Sequence, residues 1–330
     1  MCKDHGDYVF WRTTRRPIGL CQLVPDGIAW RRCEETTRKG GARVGLAIVL
    51  ALCSGATWAI GMTVAKPALR HIDILSYMLG RWLIVVPLAL IYGFATGTFA
   101  FASWIGVGFA ALAGFIDSTL GGLFYMLAMQ RTPAYQTSTL ASTAPLWGVV
   151  SAILILHEPL RWSVIVAALL VVLGAFLLVG HRMKLRGHLA GSALGLLTGL
   201  LWGFAETIPS KLALQHGLSP ASLLFVFSCS GVLTIAAMIP LLRSRFPRRI
   251  ERRGVAYMVL AAAGGAFLGW IFWLSSLERA PASLISPIRG STLLFAFLYT
   301  LVFLRERPAA RAFVGVLCVL AAVVLVSVAS

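Results

Sequence analysis

The sequence predicts an all-α integral membrane protein in which ten transmembrane helices form two inverted five-helix repeats. Three observations carry this expectation. The 330 residues are 58% hydrophobic and 12% charged, with a mean hydropathy of +0.84, whereas a soluble domain carries roughly 25% charged residues. The apolar residues fall in runs about 20 long, the length of a bilayer-crossing helix, without the alternation over about 10 residues that marks barrel strands. The third observation is that the second half of the chain repeats the first.

The best-repeated stretch is Arg131 to Glu158, which returns as Arg279 to Glu306. At a constant offset of 148, Arg131 meets Arg279, Pro133 meets Pro281, Ala134 meets Ala282, Ser138 meets Ser286, Leu156 meets Leu304 and Glu158 meets Glu306. A ladder of small residues repeats as well. Ala47, Ala51, Gly55 and Ala59 correspond at an offset of 144 to Gly191, Gly195, Gly199 and Gly203, and Trp58 corresponds to Trp202. A small residue at every fourth position lines one helix face and lets another backbone approach closely.

Residues 1–43 are polar and basic. They have neither an apolar core nor a small-residue cleavage site, so they do not read as a signal peptide. They read as a disordered tail, or as a segment upstream of a start near Val44 or Met62. The spans expected after them are 44–65, 73–93, 103–128, 135–156 and 162–180 in the first repeat (44–180). Those of the second repeat (189–328) are 189–209, 220–242, 254–276, 282–304 and 309–328. Five spans per repeat is an odd number, so the halves run in opposite directions. Inverted repeats of this kind are the plan of secondary transporters, with a site near the midplane between the halves.

The order of these features resembles the drug/metabolite transporter superfamily, and within it the ten-span EamA-type permeases. The residues carrying the resemblance are Thr132-Pro133-Ala134 and Ala280-Pro281-Ala282, the carboxylates Glu158 and Glu306, Trp58 and Trp202, and Arg81 in span two. It covers roughly residues 44–328. Two departures stand out: Leu293 replaces the counterpart of Pro145, and Arg289 stands where the first repeat has Ala141. The resemblance implies a bacterial cytoplasmic (inner) membrane location, a small-molecule substrate and export.

Net charge is +17, with the basic residues between apolar runs. There they set orientation and meet anionic lipid, and the aromatic-basic interleaving of a nucleic-acid binder is absent. Loops after odd-numbered spans hold 15 Lys and Arg, loops after even-numbered spans 3 and the tail 9. Counting loops alone puts the odd connections in the cytoplasm and both termini outside. Counting the tail levels the comparison, and the resemblance implies cytoplasmic termini.

An ionisable residue near mid-bilayer costs roughly 2.5–3.5 kcal/mol and is a functional hypothesis by default. Four residues qualify. Asp117 shares helical spacing with Gly114, Gly121 and Tyr125; it reads as a proton carrier or amine ligand, or as a structural partner of Arg81. Glu206 lies one turn past Trp202 and before Pro209, where the helix is expected to weaken. Arg289, between Ser286-Pro287 and Gly290, reads as a bidentate clamp for a carboxylate or phosphate, or as an ion-pair partner of Glu206 or Asp117. Arg81, flanked by Gly80 and Trp82, reads as a structural pairing residue. Trp58, Trp202, Trp270 and Trp273, with Tyr125, are candidates for aromatic walls, and Trp58 and Trp202 are the deeper and repeated ones. Glu158 and Glu306 each precede a proline-initiated helix and read as caps for it.

Cys2, Cys21, Cys33, Cys53, Cys229 and Cys318 show no CxxC spacing, and the histidines form no ligand pair. No cofactor, metal or nucleic acid is expected, and the absence of a P-loop points to an ion gradient such as protons as the energy source. The partners expected are the lipid bilayer and a small molecule such as an amino acid or amphipathic drug. Monomer and homodimer stay open. The competing readings are a membrane-embedded lipid-modifying enzyme, for which the acids are too widely spread, and a non-transporting scaffold.

Overall fold

The computed structural model describes the backbone of residues 27–132, 137, 140–179, 189–244, 246–304 and 310–329. Residues 1–26, Pro133, Ala134, Ser138 and Glu306, which enter the expectations above, lie outside this set. Among the described residues the ten expected spans are helical. They are α1 (Gly27–Ala68), α2 (Ile74–Ala95), α3 (Trp104–Arg131), α4 (Ala144–Ile155), α5 (Trp162–Val179), α6 (Leu189–Gln215), α7 (Pro220–Leu242), α8 (Arg252–Arg279), the two pieces α9a (Ala282–Arg289) and α9b (Ser291–Leu304), and α10 (Ala310–Ala329). Helices α1, α2, α3, α6, α7 and α8 each carry an apolar window long enough to cross a bilayer, and α4, α5 and α10 hold shorter apolar stretches.

Helix α1 begins well before Val44, inside the stretch expected to be a disordered tail. The sequence supplies a local reason. No proline stands between Gly27 and Lys66 to interrupt the helix.

Side-chain caps set several helix starts. Asp73 accepts the N–H of Ser76 at 3.0 Å and Ser219 that of Ser222 at 3.1 Å, so the repeat-related helices α2 and α7 open alike. Gly97 and Gly217, with φ of 65° and 85°, turn the chain out of α2 and α6.

Contacts between the halves are reciprocal, as a two-fold relation requires. Helix α2 packs on its counterpart α7, α5 on α10 and α4 on α9a. A side chain at Gly121 of α3 would meet Trp202 of α6 at 2.6 Å, and one at Gly269 of α8 would strike Trp58 of α1. The same tryptophan-on-glycine contact therefore occurs twice, once in each direction.

Helices α3 and α8 each contain a seven-residue π-helical stretch at matching depth, Phe115–Gly121 and Ala261–Phe267. A π turn accommodates an extra residue and rotates the helix beyond it. That alters the expected face of α3. Gly114 packs on the backbone of Phe227 in α7 and Gly121 on Trp202, while Asp117 and Tyr125 line a cavity.

Helix α6 is continuous through Pro209, contrary to the expected weakening. The proline leaves the carbonyl of Ala205 without its N–H partner, and the Ser210 hydroxyl donates to that oxygen at 2.9 Å instead. The break lies in span nine, between Arg289 and Gly290, where Pro287 has already removed one helical donor.

Candidate functional site

A cavity of about 1000 Å³, counting the space where it opens to solvent, lies between the two repeats. Trp58, Arg81, Asp117, Tyr125, Trp202, Glu206, Trp270 and Arg289 all line it, so eight of the nine charged and aromatic candidates from sequence converge on one space. They come from α1, α2, α3, α6, α8 and α9a. Trp273 is fully buried behind the wall and donates its indole N–H to the carbonyl of Glu206 at 3.1 Å.

The four charges break the repeat symmetry. At the offset of 148, Asp117 corresponds to Gly265 and Arg289 to Ala141; at 144, Glu206 corresponds to Met62. At the offset of 146 that relates the caps Asp73 and Ser219, Arg81 corresponds to Phe227. Each repeat thus contributes one acid and one base, and in the other repeat each position is apolar or glycine.

Arg289 is enclosed. Its guanidinium forms an ion pair with Glu206 through both carboxylate oxygens. It also lies 4.8 Å from the ring centre of Trp58 and 5.9 Å from that of Trp202. The two repeat-related tryptophans therefore flank the one arginine that only the second repeat has. Of the two roles expected for Arg289, the geometry provides the pairing with Glu206.

Arg81 differs from its expected structural pairing. Among the described residues it has no carboxylate within 4 Å. Its guanidinium sits 4.9 Å from the ring centre of Trp82, and its Nε is buried without a hydrogen-bonding protein partner. An aromatic chain runs from there around the cavity: Trp82 to Phe227 at 5.1 Å, Phe227 to Trp270 at 4.3 Å and Trp270 to Trp58 at 5.7 Å. Tyr125 and Trp202 pack 5.0 Å apart on another side. Asp117 projects from the π turn of α3, whose backbone is pinned by the indole N–H of Trp202 donating to the Asp117 carbonyl at 3.2 Å.

Glu158 caps a helix, but not the one after it. Its carboxylate accepts the N–H groups of Ala282 and Ser283 at 2.9 and 2.8 Å, at the start of α9a in the other repeat. The cause is local. His157 takes a left-handed conformation, φ 54°, and the N–H of Glu158 reaches back to the carbonyl of Ala152 in the turn that ends α4. Lys211 completes the arrangement, donating to the carbonyls of Leu277 and Ala280 at the end of α8. Short helix α9a is thus tied at its start by Glu158 and at its end, through Arg289, by Glu206.

The cavity is not centred. Ala65 lies three residues from the end of α1 and Met78 four from the start of α2, about 5 Å along the helix axis from the face carrying the odd-numbered connections. Towards the opposite face its wall ends at Glu206, nine residues or about 13 Å before the end of α6.

On the nearer face a polar latch joins the repeats. The α1–α2 and α7–α8 connections form an antiparallel bridge at Ile72 and Ile250, with Asp73 N–H donating to Arg249 O and Glu251 N–H to His71 O, both at 2.9 Å. Asp73 accepts from Arg243 at 2.9 Å and from the Arg249 N–H at 3.0 Å, and Glu251 meets His71 at 2.6 Å and Arg249. Sequence reading took these arginines only as orientation signals.

Burial alone would raise the Asp73 carboxyl, but the hydrogen bonds from Arg249 and Ser76 and the Arg243 charge outweigh it and hold the group below its usual range. Bonds from His71 and then Arg249 hold Glu251 low as well. A carboxylate with a depressed folded-state pKa stabilises above its ordinary range and loses that contribution as pH falls through the lowered value. The two carboxylates are therefore expected to keep the latch closed from pH 7 to 5 and to release it towards pH 3. Spin–spin distances between labels at Arg70 and Arg248 would report this, and Asp73→Asn should produce the broadened distribution already at pH 7. Broadening of the unmodified latch between pH 7 and 5 would contradict the assignment.

A bilayer-spanning helical chain with a polar cavity between two inverted repeats has the architecture of a membrane transporter. The model of the EamA-like transporter family matches residues 45–180 and again 189–328. The chain belongs to that family. An "Uncharacterized transporter" of Archaeoglobus fulgidus is 24% identical over 206 residues, 62% of this chain and 70% of that one. A crystal structure of another protein superposes with a TM-score of 0.73 at 14% identity, covering 86% of this chain and 99% of the other, a likeness of fold.

Proposed function

We propose that the protein is a secondary transporter, not an enzyme, that moves a small organic metabolite across the bacterial inner membrane by alternating access. The observation that carries this reading is the convergence of four intramembrane charges and five aromatic residues from both repeats on one cavity. Buried charge is costly in lipid and marks solute pathways, and repeats that rock about a shared site expose it to each side in turn. The thin wall beneath the Asp73–Arg243 latch supports that face as one gate. The thicker opposite wall, with Glu206, Arg289 and Trp273, supports the other. Asp117 is the proposed proton carrier, since its carboxyl lines the cavity and forms no ion pair within 4 Å among the described residues. Export is the proposed direction, by analogy with the family, and amino acids and amphipathic drugs are the compounds to try first.

The test is flux into and out of proteoliposomes across an amino-acid and amphipathic-drug panel, with and without a proton gradient. Protein-dependent flux that follows the gradient is expected, and Asp117→Asn should leave flux that no longer responds to it. No flux for any compound would sink the transporter reading. An unchanged pH response in Asp117→Asn would remove that residue from the coupling step.

A further inference from the structure

Resting on the transporter reading, we infer that Arg81 is the receptor for a carboxylate group on the transported solute. The cavity holds two guanidinium groups, and they are in opposite states. Arg289 has its carboxylate in Glu206 and an aromatic ring of Trp58 and of Trp202 nearby. Its charge is balanced, and its approaches are occupied. Arg81 lines the same space with no acid within 4 Å among the described residues and a buried Nε that no protein acceptor meets. A guanidinium Nε that is buried with no acceptor is unfavourable until an acceptor completes it. A guanidinium presents its donors in a flat fork that matches the two oxygens of a carboxylate.

Two further observations point the same way. One turn earlier on α2, the fully buried Tyr77, behind the cavity lining, also has a hydroxyl without a hydrogen-bonding protein partner. And Arg81 is not demanded by packing at this position of the repeat, because in the second repeat Phe227 fills it as part of the aromatic chain. An arginine at an apolar packing position, facing a cavity with no acid within 4 Å among the described residues, is arranged for a ligand. Met78, Trp82, Tyr125 and Trp270 give the same cavity apolar and aromatic lining, so the body of the solute is apolar or aromatic and its anionic end lies at Arg81.

The solute is accordingly either an amino acid or a simple monocarboxylate. Matched probes separate these from each other and from amines: phenylalanine, 3-phenylpropionate, its neutral amide 3-phenylpropanamide, and phenethylamine. Binding is read on the purified full chain by quenching of intrinsic tryptophan fluorescence, extended to acetate, indole-3-acetate and octanoate to vary the body. Carboxylates are expected to bind and phenethylamine not to. Arg81→Gln should lower carboxylate affinity about tenfold to a hundredfold, the worth of one charge-assisted contact. Arg81→Lys should fall between the two. In Arg81→Gln the preference for 3-phenylpropionate over its amide should collapse to near one, which a merely misfolded site would not produce selectively. Binding of phenylalanine but not 3-phenylpropionate would assign the amino-acid form and require the amine as well. The inference is overturned if no carboxylate binds, if phenethylamine binds in their place, or if Arg81→Gln keeps the carboxylate preference. Carboxylate binding without flux in proteoliposomes would sink the transporter reading and leave this one standing; flux of amines alone would do the reverse.

Discussion

Glutamine in place of Glu206 is expected to lower the stability of the folded protein by about 3–5 kcal/mol, the usual cost of removing one partner from a buried ion pair. The Arg289 side chain is 13% exposed and that of Glu206 4%, so the arginine left behind has little water to turn to. Its two tryptophans attract a cation but do not replace the carboxylate. The damage should spread through α9a, because the other polar tie on that short helix is the Glu158 cap at its start. The check is a double-mutant cycle on purified protein, following the temperature at which the monodisperse species is lost. Glu206→Gln and Arg289→Met should each be worse than the two combined, since the double variant buries no unpaired charge. If the losses simply add, the pair is not what secures this end of the helix.

The pairing itself was only half legible in the sequence. Intramembrane charges announce themselves, because lipid leaves few reasons to keep them, and the repeat ranked Trp58 and Trp202 above the other aromatics. All of these candidates but Trp273 consequently fall on one cavity. Which of them pair is a matter of direction, and direction depends on backbone irregularities that periodicity does not carry. The break at Gly290 ends α9a just after Arg289. The π turn in α3 shifts the face on which Asp117 was expected. The sequence leaves Arg289 open between a clamp and a partner of Glu206 or Asp117 and reads Arg81 as a pairing residue, whereas the structure pairs Arg289 with Glu206 and places no acid within 4 Å of Arg81 among the described residues. Glu158 shows the same effect at a helix end. Local rules assign a carboxylate to the helix that comes after it, and the left-handed turn at His157 hands it instead to α9a of the other repeat. The latch was invisible for a different reason: its members lie about 180 residues apart, as His71 and Glu251 do, and surface charges between spans were already explained by orientation.

Packing of the repeated small-residue ladder gives the second large effect. Gly203→Ala is expected to destabilise by about 1–3 kcal/mol, the range for overpacking a close contact. A Cβ there would strike the carbonyl oxygen of Ala144 and lie 2.9 Å from the backbone nitrogen of Gly148 and 2.8 Å from the Cβ of Trp147. Backbone atoms of α4 cannot swing aside as the end of a long side chain can, so α6 itself must move. Trp202 and Glu206 sit on that helix within one turn, and a shift there detunes both the tryptophan contact and the Arg289 pair. The control is Gly108→Ala in α3, where an added Cβ meets nothing within 4 Å; it should be neutral, or stabilising by about 0.5–1 kcal/mol through helix propensity. Opposite signs for two chemically identical substitutions would separate close approach from helix propensity. Equal effects would mean that α4 and α6 are less tightly joined than their contact at Gly203 implies. The first repeat sharpens the comparison, because the counterpart of Gly203 is Ala59, which is fully buried and accommodated. The two halves share a ladder but not its tightest rung, and that rung lies beside the two residues that hold Arg289.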